Sequence, residues 1–167
     1  MISHLSQKKI IPQKCRIIAN ENVYVFNDAA AKCLKTEGVG IYSYPQEIDF
    51  ETLFSLSHKD GIVPVYFHPE LFYSRMPIAM DNDNLKDDNN LQIRRFRRNG
   101  ITSIVPEKPV AIFQSKNKLK KFGLYRYLID LSYETPSKNR MKTLKSRLMR
   151  SEQIQPSTTF NFVKGLK

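Results

Sequence analysis

Cysteine is scarce in this chain: Cys15 and Cys33 are the only two in 167 residues, and they are too few for a disulfide framework. Without a C-x-x-C spacing they also exclude the common zinc and dithiol motifs. The pair is expected as two reduced, buried thiols in a reducing cytoplasm. Long apolar runs are missing too. No segment approaches the roughly 20 apolar residues that cross a bilayer, and residues 1–9 lack the apolar stretch of a secretion signal. A cytoplasmic protein without a membrane partner is therefore expected. Acid is short relative to base: 16 Asp and Glu stand against 27 Lys and Arg, a formal charge of +11. Such an excess commonly marks an anionic partner such as RNA, DNA or acidic lipid, although lysines that merely face water produce the same count.

Recognisable catalytic motifs are absent as well. There is no G-x-S-x-G elbow and no H-E-x-x-H helix. Ser74 has no obvious histidine partner, and neither cysteine has a neighbouring histidine to activate it. His58 and His68, ten residues apart, read as unpaired surface histidines rather than a metal pair. The acidic run 81–90 fails as a calcium loop. With the frame started at Asp81, Leu85 and Lys86 fall where an oxygen ligand and a glycine belong, and no glutamate closes the loop.

What is present is an alternation of strands and helices. Residues 1–14 form a polar, basic arm. Strands are expected at 15–19 and 23–26, and Asn27 then caps a helix that Gly38 stops. A strand at 39–44 follows, then a helix capped by Asp49 with Phe50, Leu53, Phe54 and Leu56 on one face. The strand at 61–67 contains Pro64, which marks a bulge or an edge. This spacing argues for parallel pairing through helical crossovers. Between Pro69 and Pro109 the rhythm breaks. Asn99-Gly100 between two alternating runs predicts an inserted β-hairpin. Strands at 110–113 and 124–131, a helical turn at 116–122, a basic amphipathic helix at 138–150 and an irregular tail complete a single α/β domain over 15–167.

Several segments occur in an order that resembles a known family. They are Val25-Phe26-Asn27-Asp28-Ala29-Ala30, Tyr44-Pro45-Gln46-Glu47-Ile48-Asp49, Phe72-Tyr73-Ser74-Arg75-Met76-Pro77-Ile78 and the closing Phe160-Asn161-Phe162-x-x-Gly165-Leu166. Together they are similar to the C-terminal part of the collagenase-like peptidase U-32 family. The resemblance implies a TIM-type barrel of parallel βα units, of which this chain supplies a half barrel. Family members include peptidases of unknown catalytic type and enzymes of RNA-base or ubiquinone hydroxylation, often with a cysteine-held iron–sulfur cluster. Where cluster-bearing relatives carry a cysteine, this chain has Met76, and a thioether is not the thiolate such clusters require. No cofactor is therefore expected in this chain. A missing N-terminal half, or a partner subunit, is expected to complete the sheet.

In a barrel-like sheet the chemistry sits at the carboxyl ends of the strands. That places Asn27, Glu47, Tyr73, Arg75 and Asp130 as substrate-binding candidates, with Ser132 nearby. Arg75 can clamp a phosphate or carboxylate, and Glu47 or Asp130 can act as a general base. Helix capping alone also explains Asn27, and Glu47 can simply bond the backbone around Pro45. Arg94, Arg95, Phe96, Arg97 and Arg98 crowd the hairpin, where arginines can hold a phosphate backbone while the ring stacks on a base. The basic clusters at 116–121 and 138–150 add to that reading. The function expected from the sequence is substrate positioning within a U-32-like enzyme, with a non-enzymatic RNA-binding module or an inactive remnant as alternatives.

Overall fold

The computed structural model describes residues 1–12, 14–76, 84–86 and 91–163. Four short strands lie side by side and parallel, in chain order: β1 (Ile18–Ala19), β2 (Ile41–Tyr42), β3 (Ile62–Phe67) and β9 (Arg126–Ile129). A parallel bridge between Ser43 and Ile62 joins the β1–β2 pair to β3, and another places Ile2 outside β1. Because all four run the same way, their carboxyl ends fall on one side of the sheet. Among the described residues the strands do not close into a barrel.

Local chemistry sets the connections. Asn27 accepts the Ala30 N–H at 2.8 Å and starts α1 (Asp28–Thr36), which buries Ala31 and Leu34. Asp49 does the same for Thr52 at the start of α2 (Phe50–Ser55). Asp28 reaches across to accept the Ser57 and His58 N–H groups at 3.0 Å, tying the start of α1 to the segment after α2. The β3 register shifts between Pro64 and Tyr66, the irregularity a strand proline demands. Gly61 sits against the rings of Tyr42 and Tyr44, leaving no room for a Cβ.

The inserted segment is larger than a hairpin. A four-stranded antiparallel sheet runs in the order β4 (Phe72–Ser74), β7 (Ile101–Pro106), β6 (Gln92–Arg98), β5 (Asn84–Lys86). Asn99 and Gly100 take positive φ at the β6–β7 turn, as Asn-Gly favours. After it, β8 (Val110–Ala111) pairs antiparallel with β3, and α3 (Lys116–Lys121) leads to β9. Finally α4 (Lys138–Arg150), capped by Ser137, buries Leu144.

Other expectations change. Residues 23–26 form no strand: a 3-10 turn (Glu21–Val23) ends in Tyr24 at φ 52°, and only Val25 is buried. The side chain of Asn20 caps that turn, and this local hydrogen bond outcompetes ladder formation. The segment read as an arm packs through Ile2, which is 2% exposed. Cys15 and Cys33 are exposed rather than buried, because α1 turns Cys33 away from the face that holds Ala31 and Leu34. The tail is stitched to the body: Ala111 donates to the Thr158 carbonyl, Thr158 to that of Pro109, and Phe162 enters the core. Most of the acidic run 81–90, together with Pro77, Ile78, Gly165 and Leu166, lies outside the described residues.

Candidate functional site at the carboxyl ends of the parallel strands

Segments leaving the four parallel strands meet around a cleft of about 250 Å³. Glu21 and Tyr24 follow β1, Gln46 and Glu47 follow β2, His68 and Glu70 follow β3, and Asp130, Ser132 and Tyr133 follow β9. Tyr73 of β4 contributes from the inserted sheet. In open parallel α/β sheets this is where the loops converge and ligands bind.

His68 forms the floor and is 2% exposed. Its Nδ1 lies 3.0 Å from the Pro106 carbonyl, which can only accept, so Nδ1 carries a hydrogen. Its Nε2 faces Glu134 at 3.3 Å and the Arg94 guanidinium at 3.4 Å. Both ring nitrogens are thus engaged by protein groups, and the ring acts as a strut more than as a free base. Beneath it, Glu134 accepts from the Tyr66 hydroxyl and, at 2.9 Å, from Nε of Arg140, whose Nη2 also donates to Tyr66. Burial raises the Glu134 carboxyl, but the hydrogen bonds from Arg140 and Tyr66 and the Arg140 charge outweigh it and leave the group below its ordinary value. Burial and the Glu134 hydrogen bond push Tyr66 upward.

The wall toward the inserted sheet turns on Tyr133. Its hydroxyl donates to Glu70 at 2.7 Å, its ring meets Phe96 edge-on at 5.2 Å, and its carbonyl accepts from Arg94 at 2.9 Å. Burial, with a further push from Glu70, moves the Tyr133 hydroxyl up to about 12. Ser103 of β7 also donates to Glu70. Beyond Tyr133 a second hollow of about 260 Å³ shares Glu70, Ser132 and Tyr133 with the first, and adds Phe96, Arg98 and Ile101.

The carboxylates differ in their ties. Asp130 is held by the Ser132 backbone N–H at 2.8 Å and by the Ser132 hydroxyl. Burial raises the Glu21 carboxyl, and the nearby charges of Asp130 and Glu47 push the same way. A carboxyl raised by burial and by neighbouring acidic groups binds its proton more tightly than a free one, which suits it to proton exchange.

No family model, curated protein or solved structure matches this chain.

Of the substrate-binding candidates, Glu47, Tyr73 and Asp130 line the cleft, whereas Asn27 caps α1 and Arg75 lies exposed after β4. On β6, Arg94 and Phe96 face the cleft wall, with Arg98 in the outer hollow. Strand alternation places half-buried Arg95 and exposed Arg97 on the other face. His68, expected at the surface, is instead buried, because Pro106 and Glu134 close over it. Glu21, Glu70 and Glu134 carry no local pattern that marks them for binding, and Arg140 is marked only as one cation of the basic run 138–150. Met76 is exposed, and the chain's two thiols lie on other elements, Cys15 ahead of β1 and Cys33 on α1. These residues do not fit an iron–sulfur cluster.

Proposed function

We propose that this chain is a partial barrel of the collagenase-like U-32 type that positions substrate for a family enzyme, acting with a partner chain or half that completes the sheet. The observation carrying this reading is the cleft itself, whose lining comes from the ends of all four parallel strands. Glu47, Tyr73 and Asp130 hold and orient the substrate, and Glu21 handles a proton. Glu70 is fixed by Tyr133 and Ser103, so it presents a preset acceptor. The test is amide chemical-shift mapping of the chain against a mixed set of amines, nucleosides and short peptides. Binding compounds are expected to shift the amides of Glu47, His68, Tyr73 and Asp130. Shifts confined to other surfaces would sink the proposal.

A second reading, RNA contact, is favoured by one specific observation: Phe96 and Arg98 edge the outer hollow, and the exposed Arg97 lies between them in sequence on the opposite face of the strand. Each phosphate contact on single-stranded RNA steepens the log–log salt dependence by about 0.7. The double change Arg97→Ala and Arg98→Ala is expected to flatten the slope by about 1.4, read by fluorescence anisotropy with a single-stranded oligonucleotide. An unchanged slope would exclude these arginines as phosphate contacts.

A further inference from the structure

We infer that the cleft takes an organic cation, an alkylammonium or guanidinium group, which narrows the substrate class of the site proposed above and rests on that reading. The chain carries 27 Lys and Arg against 16 Asp and Glu, yet among the described residues the lining contains Glu21, Glu47, Glu70 and Asp130 and neither lysine nor arginine. That is the reverse of the chain's composition.

The aromatic lining points the same way. Tyr24 and Tyr73, 55% and 66% exposed, both line the cleft, and Tyr133 supplies a third ring. Ring faces attract cations, and a cavity lined by both aromatics and carboxylates suits a charge carried on an apolar stem. Among the described residues no three carboxylate, histidine or thiol groups come together to hold a metal ion. Carboxylates spread around the cleft suit a guest whose charge or length spans it, as a diamine or guanidinium does. The chain's net charge of +11 opposes the approach of any cation. Any cation it binds must be bound by a local site.

The experiment is isothermal titration calorimetry of the full chain at moderate salt with spermidine, agmatine and a trilysine peptide. Mg²⁺ serves as the compact-charge control and 1,5-pentanediol as the uncharged one. At least one amine probe is expected to bind while both controls stay silent. Preference for spermidine or agmatine would assign a free amine, and preference for trilysine a peptide side chain. In Glu47→Gln and in Tyr73→Ala the dissociation constant is expected to rise about tenfold or more, with an unchanged melting temperature. Silence from every amine, equal binding by Mg²⁺, or unchanged affinity in both variants would overturn the inference. A neutral or anionic compound that shifts the Glu47 and Tyr73 amides while amines do not would overturn it too, yet leave the cleft as the functional site.

Discussion

Glu21 and Glu134 are two carboxyls that their surroundings drive in opposite directions. Burial lifts Glu21 above its unfolded value, so the folded state binds the proton more tightly, and stability falls as pH rises past the ordinary carboxylate range. Glu21→Gln is thus expected to raise the melting temperature at neutral pH, with the gain fading as pH drops below about 4. Glu134 is depressed by Arg140 and Tyr66, so its contribution is present above the unfolded value and lost as pH falls through the folded one. Glu134→Gln is expected to cost about 1–3 kcal/mol at pH 7 and less in acid. Urea unfolding at several pH values checks both signs. Gly61→Ala is expected to cost about 1–3 kcal/mol, because the added carbon would come within 2.8 Å of the Tyr42 ring and closer still to that of Tyr44. A melting temperature equal to that of the unmodified chain would show that the rings yield.

Helix starts were legible in the sequence and the site's floor was not. Asn27 and Asp49 announce α1 and α2 because a cap bonds three residues ahead, within reach of a local pattern. His68 meets Pro106 and Glu134 at separations of 38 and 66 residues, and no periodicity reports such partners. The apolar run 23–26 misleads for a related reason, since a strand needs a neighbour and the Asn20-capped turn gives that segment a local alternative. At the start of α4, Ser137 accepts the Arg140 N–H at 3.0 Å, while the Arg140 side chain braces Glu134. Ser137→Ala is expected to cost about 1 kcal/mol and to loosen the loop before α4. Faster amide exchange at residues 133–140, measured by mass spectrometry, checks it. Exchange as slow as in the unmodified chain would show the cap to be idle.

Across the whole molecule the charge divides by location. Lysine and arginine crowd α3, α4 and the inserted sheet, while carboxylates gather where the four parallel strands end. The parallel α/β order was readable from the alternation of apolar runs with capped helices. The size of the inserted sheet and its role as a cleft wall were not, because they depend on Ser103, Phe96 and Arg94 meeting Glu70 and Tyr133 across the fold. No helix among the described residues is long and apolar enough to cross a membrane. A third hollow lies at the amino ends of the same strands, lined by Cys15, Gly38, Gly40 and Arg126, and is the natural competitor for the functional site. The deciding measurement is a crystal structure of the chain soaked in a mixture of small organic probes. Probes collected between Glu47, His68, Tyr73 and Asp130 are the predicted result. Probes gathered instead beside Cys15 and Arg126, or along α4, would contradict the placement of function at the carboxyl ends of the strands.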